Sequence, residues 1–189
     1  IMRTIIALLL SLLAFTAHAG TDVAGVGFDE QTQLDGQRLV LNGAGLRTKF
    51  FFKVYAAGLY LPEHARSTDA VLAQPGPKRV DLTLLRDVSA ETFVESLREG
   101  LRNNLSAEAL DALAPRIEQF AATLLARKEA REGERYQMDF TPGRGTQLRI
   151  GDAAVGEPVP GGDFFAALLR IWIGDHPAQD DLKAALLGT

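Results

Sequence analysis

The sequence predicts an α+β fold: a large antiparallel β-sheet with helices layered on one face. Three observations predict it. Strand-like apolar segments separated by turn signals fill the first third of the chain and return near residues 136–150. Two amphipathic helical stripes and one almost wholly apolar helix occupy the middle and the end. No internal repeat, low-complexity tract or linker divides the chain.

Taken in order, Met2-Arg3 is a short positive start, residues 5–15 are an apolar run broken only by Ser11, and Ala17-His18-Ala19 has the form of a signal cleavage site. A secretion signal over residues 1–19, cleaved after Ala19, and a single domain over residues 20–189 are expected. The apolar run is shorter than the roughly 20 residues that span a bilayer, so no stable membrane insertion is expected after cleavage. Residues 23–34 and 38–42 read as strands around a turn at Asp35-Gly36. Gly43-Ala44-Gly45 reads as a tight turn that uses glycine's freedom in φ. Residues 49–61 form one long strand, apolar on both faces and hence central, ended by Pro62. Ser67 caps a short helix over 67–73, which Pro75-Gly76-Pro77 stops.

Residues 78–86 are a strand with Val80, Leu82 and Leu84 on one face. Ser89 and Ser106 open two helices. The stripe of the first is Phe93, Leu97, Leu101 and Leu105, and that of the second is Leu110, Leu113, Ile117, Phe120, Leu124 and Leu125. Pro115 is expected to kink the second helix or mark its first turn. Strands over 136–141 and 146–150 pair as a hairpin through Pro142-Gly143-Arg144-Gly145. Residues 164–173 are a buried helix that stops at Gly174-Asp175-His176-Pro177, and residues 179–187 form a short closing helix.

Composition narrows the function. Removing residues 1–19 from 189 leaves 170; Arg3 is the only charge lost, so 20 basic and 24 acidic residues become 19 and 24, a net charge of −5. An acidic chain without a basic patch argues against nucleic acid and against anionic membrane surfaces. The chain has no cysteine, which excludes disulfides and thiolate chemistry. After Ala19 only His64 and His176 remain, without a second ligand at metal spacing. No metal and no cofactor are expected.

Two side chains stand out. Arg47 lies between the glycines and the apolar strand, where a guanidinium must either be paired or face a ligand's anion. Tyr55 is embedded in that strand. Counting by twos, Lys49, Phe51, Lys53, Tyr55, Ala57 and Leu59 share one face. Tyr55 is then either a core tyrosine satisfied by backbone or a hydroxyl at the mouth of a pocket. An arginine and a phenol beside an apolar wall suit an acid with a greasy tail.

Gly43-Ala44-Gly45-Leu46-Arg47, then residues 52–61, then Ile173-Gly174-Asp175-His176-Pro177 resemble the chalcone isomerase fold family, and more narrowly its exported bacterial members. The resemblance implies the chalcone-isomerase-like fold, with an apolar cleft and a periplasmic location. It places Arg47 in the cleft. It matches Tyr55 to the tyrosine that, with the arginine, holds a carboxylate in fatty-acid-binding relatives. It also puts Phe93 where the isomerases carry a catalytic tyrosine, Gly100 where they carry an asparagine, and Ile171 and Trp172 at the polar specificity position and its neighbour.

The expectation is therefore a non-catalytic binding protein for a fatty acid or similar amphipathic acid. Arg47 and Tyr55 hold the carboxylate, and Phe51, Phe93, Phe164, Phe165, Ile171 and Trp172 line the tail channel. Two alternatives remain. One is an isomerase or intramolecular lyase acting on a small phenolic or enone substrate, with Arg47 as electrophile and Tyr55 as proton donor. The other is a partner-binding protein whose cleft is filled by its own side chains.

Overall fold

The computed structural model describes residues 20–189, so the expected signal segment lies outside the described residues. Strands β1 (Thr21–Val23) and β2 (Val26–Phe28) form a small hairpin through Ala24 and Gly25, both at positive φ. The main sheet contains β3 (Gln31–Leu34), β4 (Gln37–Lys49), β5 (Phe52–Leu61), β6 (Lys78–Leu84), β9 (Arg135–Thr141), β10 (Gly145–Ile150) and β11 (Ala153–Val159). Its order is β11-β10-β9-β6-β5-β4-β3, and every neighbouring pair is antiparallel. A separate two-stranded antiparallel sheet pairs β7 (Val88–Ser89) with β8 (Glu129–Ala130), which flank two helices in sequence. The antiparallel sheet and the helices expected from the sequence are thus both present.

The helices are α1 (Thr68–Ala73), α2 (Ala90–Asn104), α3 (Ala107–Leu125), α4 (Gly162–Ile173) and α5 (Asp180–Leu187). Ser67, Ser89 and Ser106 cap the first three, each accepting from the backbone N–H three residues on. Helix α3 runs on through Pro115, which lies on its solvent side, where water can serve the Asp111 carbonyl left without its helical donor. Eight of the twelve residues of α4 are buried, and α4 packs against α2, α3, α1 and α5. The main core lies between these helices and one face of the sheet, where Ala57, Leu59, Leu61, Val80, Leu82 and Leu84 project.

The other face is also covered in part. Phe28 lies on Gly58 and packs with Leu39, Ala56 and Tyr60, and the Tyr60 hydroxyl donates to the Asp29 carbonyl at 3.0 Å. Beside this cluster, Arg79 makes a two-pronged pair with Asp139 at 2.6 and 2.7 Å. Asp81, fully buried, accepts from Arg135 and from Gln137. Alternation in β6 thus sends Val80, Leu82 and Leu84 to the helices and Arg79 and Asp81 to a buried network, which is tolerable because both charges are paired.

Two expectations fail around residue 45. Gly43, Ala44 and Gly45 are not a turn: they lie inside β4, and neither glycine has positive φ. Their smallness admits α5. A Cβ on Gly43 would come 2.0 Å from the Ala185 carbonyl oxygen, and one on Gly45 would come 2.7 Å from the Ala185 Cβ. The turn lies instead at Phe50-Phe51, within what alternation reads as one strand over 49–61, and Lys49 pairs with Phe52 across it.

Candidate functional site

A cavity of about 610 Å³ opens between the β4–β5 end of the sheet and helices α2 and α4. Its wall begins with a cross-strand pair, Arg47 on β4 opposite Tyr55 on β5, with Leu84 on β6 next in the same row. Just beyond that pair β5 has a bulge: Arg47 pairs with Tyr55, but Thr48 pairs with Lys53, leaving Val54 as the extra residue. A bulge shifts the alternation by one. Val54 and Tyr55 therefore both reach the cavity, and Phe52 takes the inward position that counting by twos assigns to Phe51.

Helix α2 supplies Phe93 and Leu97, and α4 supplies Ile171 and Trp172. These helices meet closely because residue 100 is glycine: a Cβ there would lie 2.8 Å from the Ile171 Cγ2. Phe93, Gly100, Ile171 and Trp172 all lie on the cavity wall.

Five of the eight expected site residues come together: Arg47, Tyr55, Phe93, Ile171 and Trp172. Three do not line the cavity. Phe51 is fully exposed at the hairpin tip, for the reason the bulge gives. Phe164 and Phe165 are buried in the core at the start of α4; Phe164 packs edge-on against Phe120 and Phe165 stacks on Phe140. Ile171 and Trp172 lie about two turns further on.

Polar groups that the sequence reading passed over are Thr92, Ser96, Glu99 and Asn103, an exposed stripe on α2 at the rim. Their spacing of four, three and four beside Phe93, Leu97 and Gly100 was the available signal. Gln179 was also missed. It sits at the N-terminus of α5, and its side chain does not cap the helix. Its Oε1 accepts instead from the Thr48 N–H at 2.9 Å and from the Arg47 Nη1 at 3.2 Å. Arg47 Nη1 also donates to the Thr48 carbonyl at 2.9 Å.

Arg47 is thus held in place by neutral acceptors. Among the described residues no carboxylate pairs with it, whereas seven other arginines have acidic partners. Its Nε and Nη2 have no acceptor among the described residues. The Tyr55 hydroxyl accepts from the Trp172 indole N–H at 2.9 Å, which leaves the hydroxyl proton to donate. Burial pushes the Tyr55 phenol above its ordinary value, while the Trp172 hydrogen bond and the Arg47 charge pull it back only in part. Tyr55 is therefore a neutral donor across the physiological range. The arrangement offers up to three donors to an anion beside an apolar chamber, and among the described residues no His, Cys, Asp or Glu cluster is suited to a metal.

All three tyrosines of the chain are shifted the same way. Burial and the nearby Asp81 carboxylate push Tyr60 up to about 12, and burial and a hydrogen bond to Glu134 push Tyr136 up to about 12. The unfolded chain loses these protons near pH 10, while the folded chain keeps them. Stability is therefore whole below about pH 10 and falls as pH rises towards 12. Tyrosinate absorbance is expected to show no component titrating at the ordinary value, and to rise together with alkaline loss of circular dichroism. A tyrosine ionising near pH 10 in the folded protein would contradict the burial of these hydroxyls.

No curated protein matches the chain by sequence. The structure is similar to the crystal structure of the Arabidopsis thaliana fatty-acid binding protein AtFAP1, with a TM-score of 0.64 at 16% identity, covering 86% of this chain and 92% of that one. At that identity the likeness is one of fold. A model of the chalcone isomerase-like family matches residues 20–188, and the chain belongs to that family.

Proposed function

We propose that the protein is a non-catalytic carrier or sequestering protein for a fatty acid or similar amphipathic acid, exported by residues 1–19 to the periplasm. The observation that carries the reading is Arg47: a fixed guanidinium without a carboxylate partner among the described residues, facing an apolar cavity. A cation at the edge of low-dielectric space is costly unless an anion joins it. The ligand carboxylate accepts from Arg47 Nε and Nη2 in the two-pronged manner and from the Tyr55 hydroxyl. The tail lies against Phe93, Leu97, Ile171 and Trp172. A volume of about 610 Å³ falls within the roughly 300–1,000 Å³ of small-molecule sites. The described residues leave the cavity unfilled by their own side chains, which weighs against the self-plugged alternative.

The isomerase reading has less support. Ring closure needs directed hydrogen bonds to a developing enolate, and Phe93 and Gly100 supply none. The likeness in fold to a fatty-acid binding protein supports the binding reading.

The test compares a long-chain fatty acid with the fatty alcohol of equal length, titrated by displacement of a fluorescent fatty acid from the purified protein. One equivalent of acid is expected to bind, about tenfold or more tighter than the alcohol, because a charge-assisted pair contributes roughly 1.5–3 kcal/mol. Equal affinities, or refusal of both, would remove the carboxylate site.

A further inference from the structure

We infer that the β4–β5 hairpin tip docks on a bilayer surface containing anionic lipid, so that the cavity loads and unloads directly at the membrane. The inference rests on the reading of the cavity as a lipid-acid site, although the docking itself can be measured without it.

The observation is a cluster of three consecutive phenylalanines in water. Phe50, Phe51 and Phe52 are 81%, 103% and 60% exposed, and with Leu125 they are the exposed large apolar residues among the described residues. Three adjacent aromatic rings, two on the hairpin loop and Phe52 at the start of β5, are not scattered surface apolarity; they form a protruding patch. The loop is also locally unfavourable. Phe50 has φ +50°, a conformation that favours glycine at this position of a tight hairpin. Strain of this kind tends to coincide with function.

The charges around the tip select the partner. Lys49 and Lys53 flank the three rings, and the Arg86 guanidinium lies over the Phe52 ring, 4.8 Å from its centroid. The exposed tip between residues 49 and 53 carries Lys49 and Lys53 and no carboxylate. The two rim carboxylates, Asp87 and Glu99, belong to the segment after β6 and to α2. Aromatic rings at headgroup depth with lysines around them match the lipid–water interface, where the lysine stems reach anionic headgroups. Overall acidity argues against anionic membranes, but that average conceals a tip that alternation places inside a strand.

The tip is also the rim of the cavity. Lys49, Phe50, Phe52 and Arg86 border its opening, and Arg47 and Tyr55 lie one short step inward along the same two strands. A fatty acid leaving a leaflet at the docked tip meets Arg47 without crossing open water. Docking is peripheral: among the described residues no helix is long and apolar enough to cross a membrane.

The test is sedimentation of the purified protein with vesicles of phosphatidylcholine alone and with added phosphatidylglycerol. Phe51 and Lys53 do not line the cavity, so Phe51→Ser with Lys53→Glu probes docking without touching the acid site. Binding to the anionic vesicles is expected. It should fall about tenfold or more in the double variant, since each basic residue near such a surface is worth roughly fivefold, and it should weaken with salt. Fatty acid offered from solution should bind the double variant with unchanged affinity, while uptake from vesicles should slow in proportion to lost docking.

Phe51→Trp should shift its emission to the blue on the same vesicles. Arg47→Ala separates the two proposals, because it should lose the acid and still sediment. The docking proposal is overturned if wild type ignores anionic vesicles, if the double variant sediments equally well, or if the tip proves to hold two copies together, read as a dimer that the double variant dissolves.

Discussion

Arg47→Ala is expected to weaken fatty-acid binding by about 30- to 1,000-fold while leaving the protein folded. Two opposing effects set that range. In the complex the substitution removes up to two charge-assisted hydrogen bonds and leaves a carboxylate against an apolar wall, a loss of about 2–4 kcal/mol on the scale of truncated buried charge pairs. In the free protein it removes a cation that has no carboxylate partner among the described residues, together with two bonds to the Gln179 and Thr48 oxygens. The melting temperature should therefore stay within a few degrees of wild type, and circular dichroism should be unchanged. Arg47→Lys keeps the charge but not the planar fork, so its affinity should fall between the two. Tyr55→Phe removes one donor and should cost about tenfold, near 1.4 kcal/mol. A titration in which Arg47→Ala binds the acid as tightly as wild type would sink the proposed site.

Most of the elements were legible in the sequence because they rest on local signals. The serine caps of α1, α2 and α3, the aliphatic face of β6, the β9–β10 hairpin and the apolar helix α4 lie where capping, alternation and turn chemistry place them. Arg47, Tyr55, Phe93, Ile171 and Trp172, which the sequence assigns to one site, line the same cavity. The misplacement of Phe51 has one physical cause. Counting by twos assumes an unbroken strand, and a bulge at Val54 with a turn at Phe50-Phe51 breaks it. A hairpin turn made of two phenylalanines carries no Gly, Asn or Asp signal, so nothing in the sequence separated it from a strand. Phe51 was therefore drawn inward and the exposed tip went unseen. Phe164 and Phe165 failed for a different reason: periodicity shows that a helix is buried but not which part of it faces a cavity. The edge strand β11 contains Gly156 and Pro158, residues whose local signal is that of a loop and not of a strand.

Gly43→Ala is expected to destabilise the protein by about 3 kcal/mol or more and to weaken the acid site without touching it. The added methyl would sit 2.0 Å from the Ala185 carbonyl oxygen and 2.9 Å from that of Leu186. Both are backbone atoms of α5, so no rotamer change relieves the clash, and the helix must move away from the sheet. That motion also breaks the anchor at its C-terminal end, where Asn42 Nδ2 donates to the Leu186 carbonyl at 2.7 Å. Overpacking commonly costs about 1–3 kcal/mol, and a rigid backbone neighbour puts this case at or above the top of that range. At roughly 2–4 °C per kcal/mol for a chain of this size, the melting temperature should drop by about 6–12 °C. Gly45→Ala is the internal comparison. Its methyl would meet the Ala185 Cβ at 2.7 Å, as fixed as the backbone that carries it, and the Leu182 Cδ1 at 3.0 Å, which can turn away; the approach is less severe than the 2.0 Å at Gly43, so a smaller loss is expected. Gln179 links this to function, because it leads into α5 and holds both Thr48 and Arg47. Displacing α5 should loosen the guanidinium and lower acid affinity several-fold, while affinity for the fatty alcohol of equal length stays the same. A Gly43→Ala protein as stable as wild type would refute the close approach of α5 to β4. One that is destabilised but binds acid normally would remove Gln179 from the positioning of Arg47.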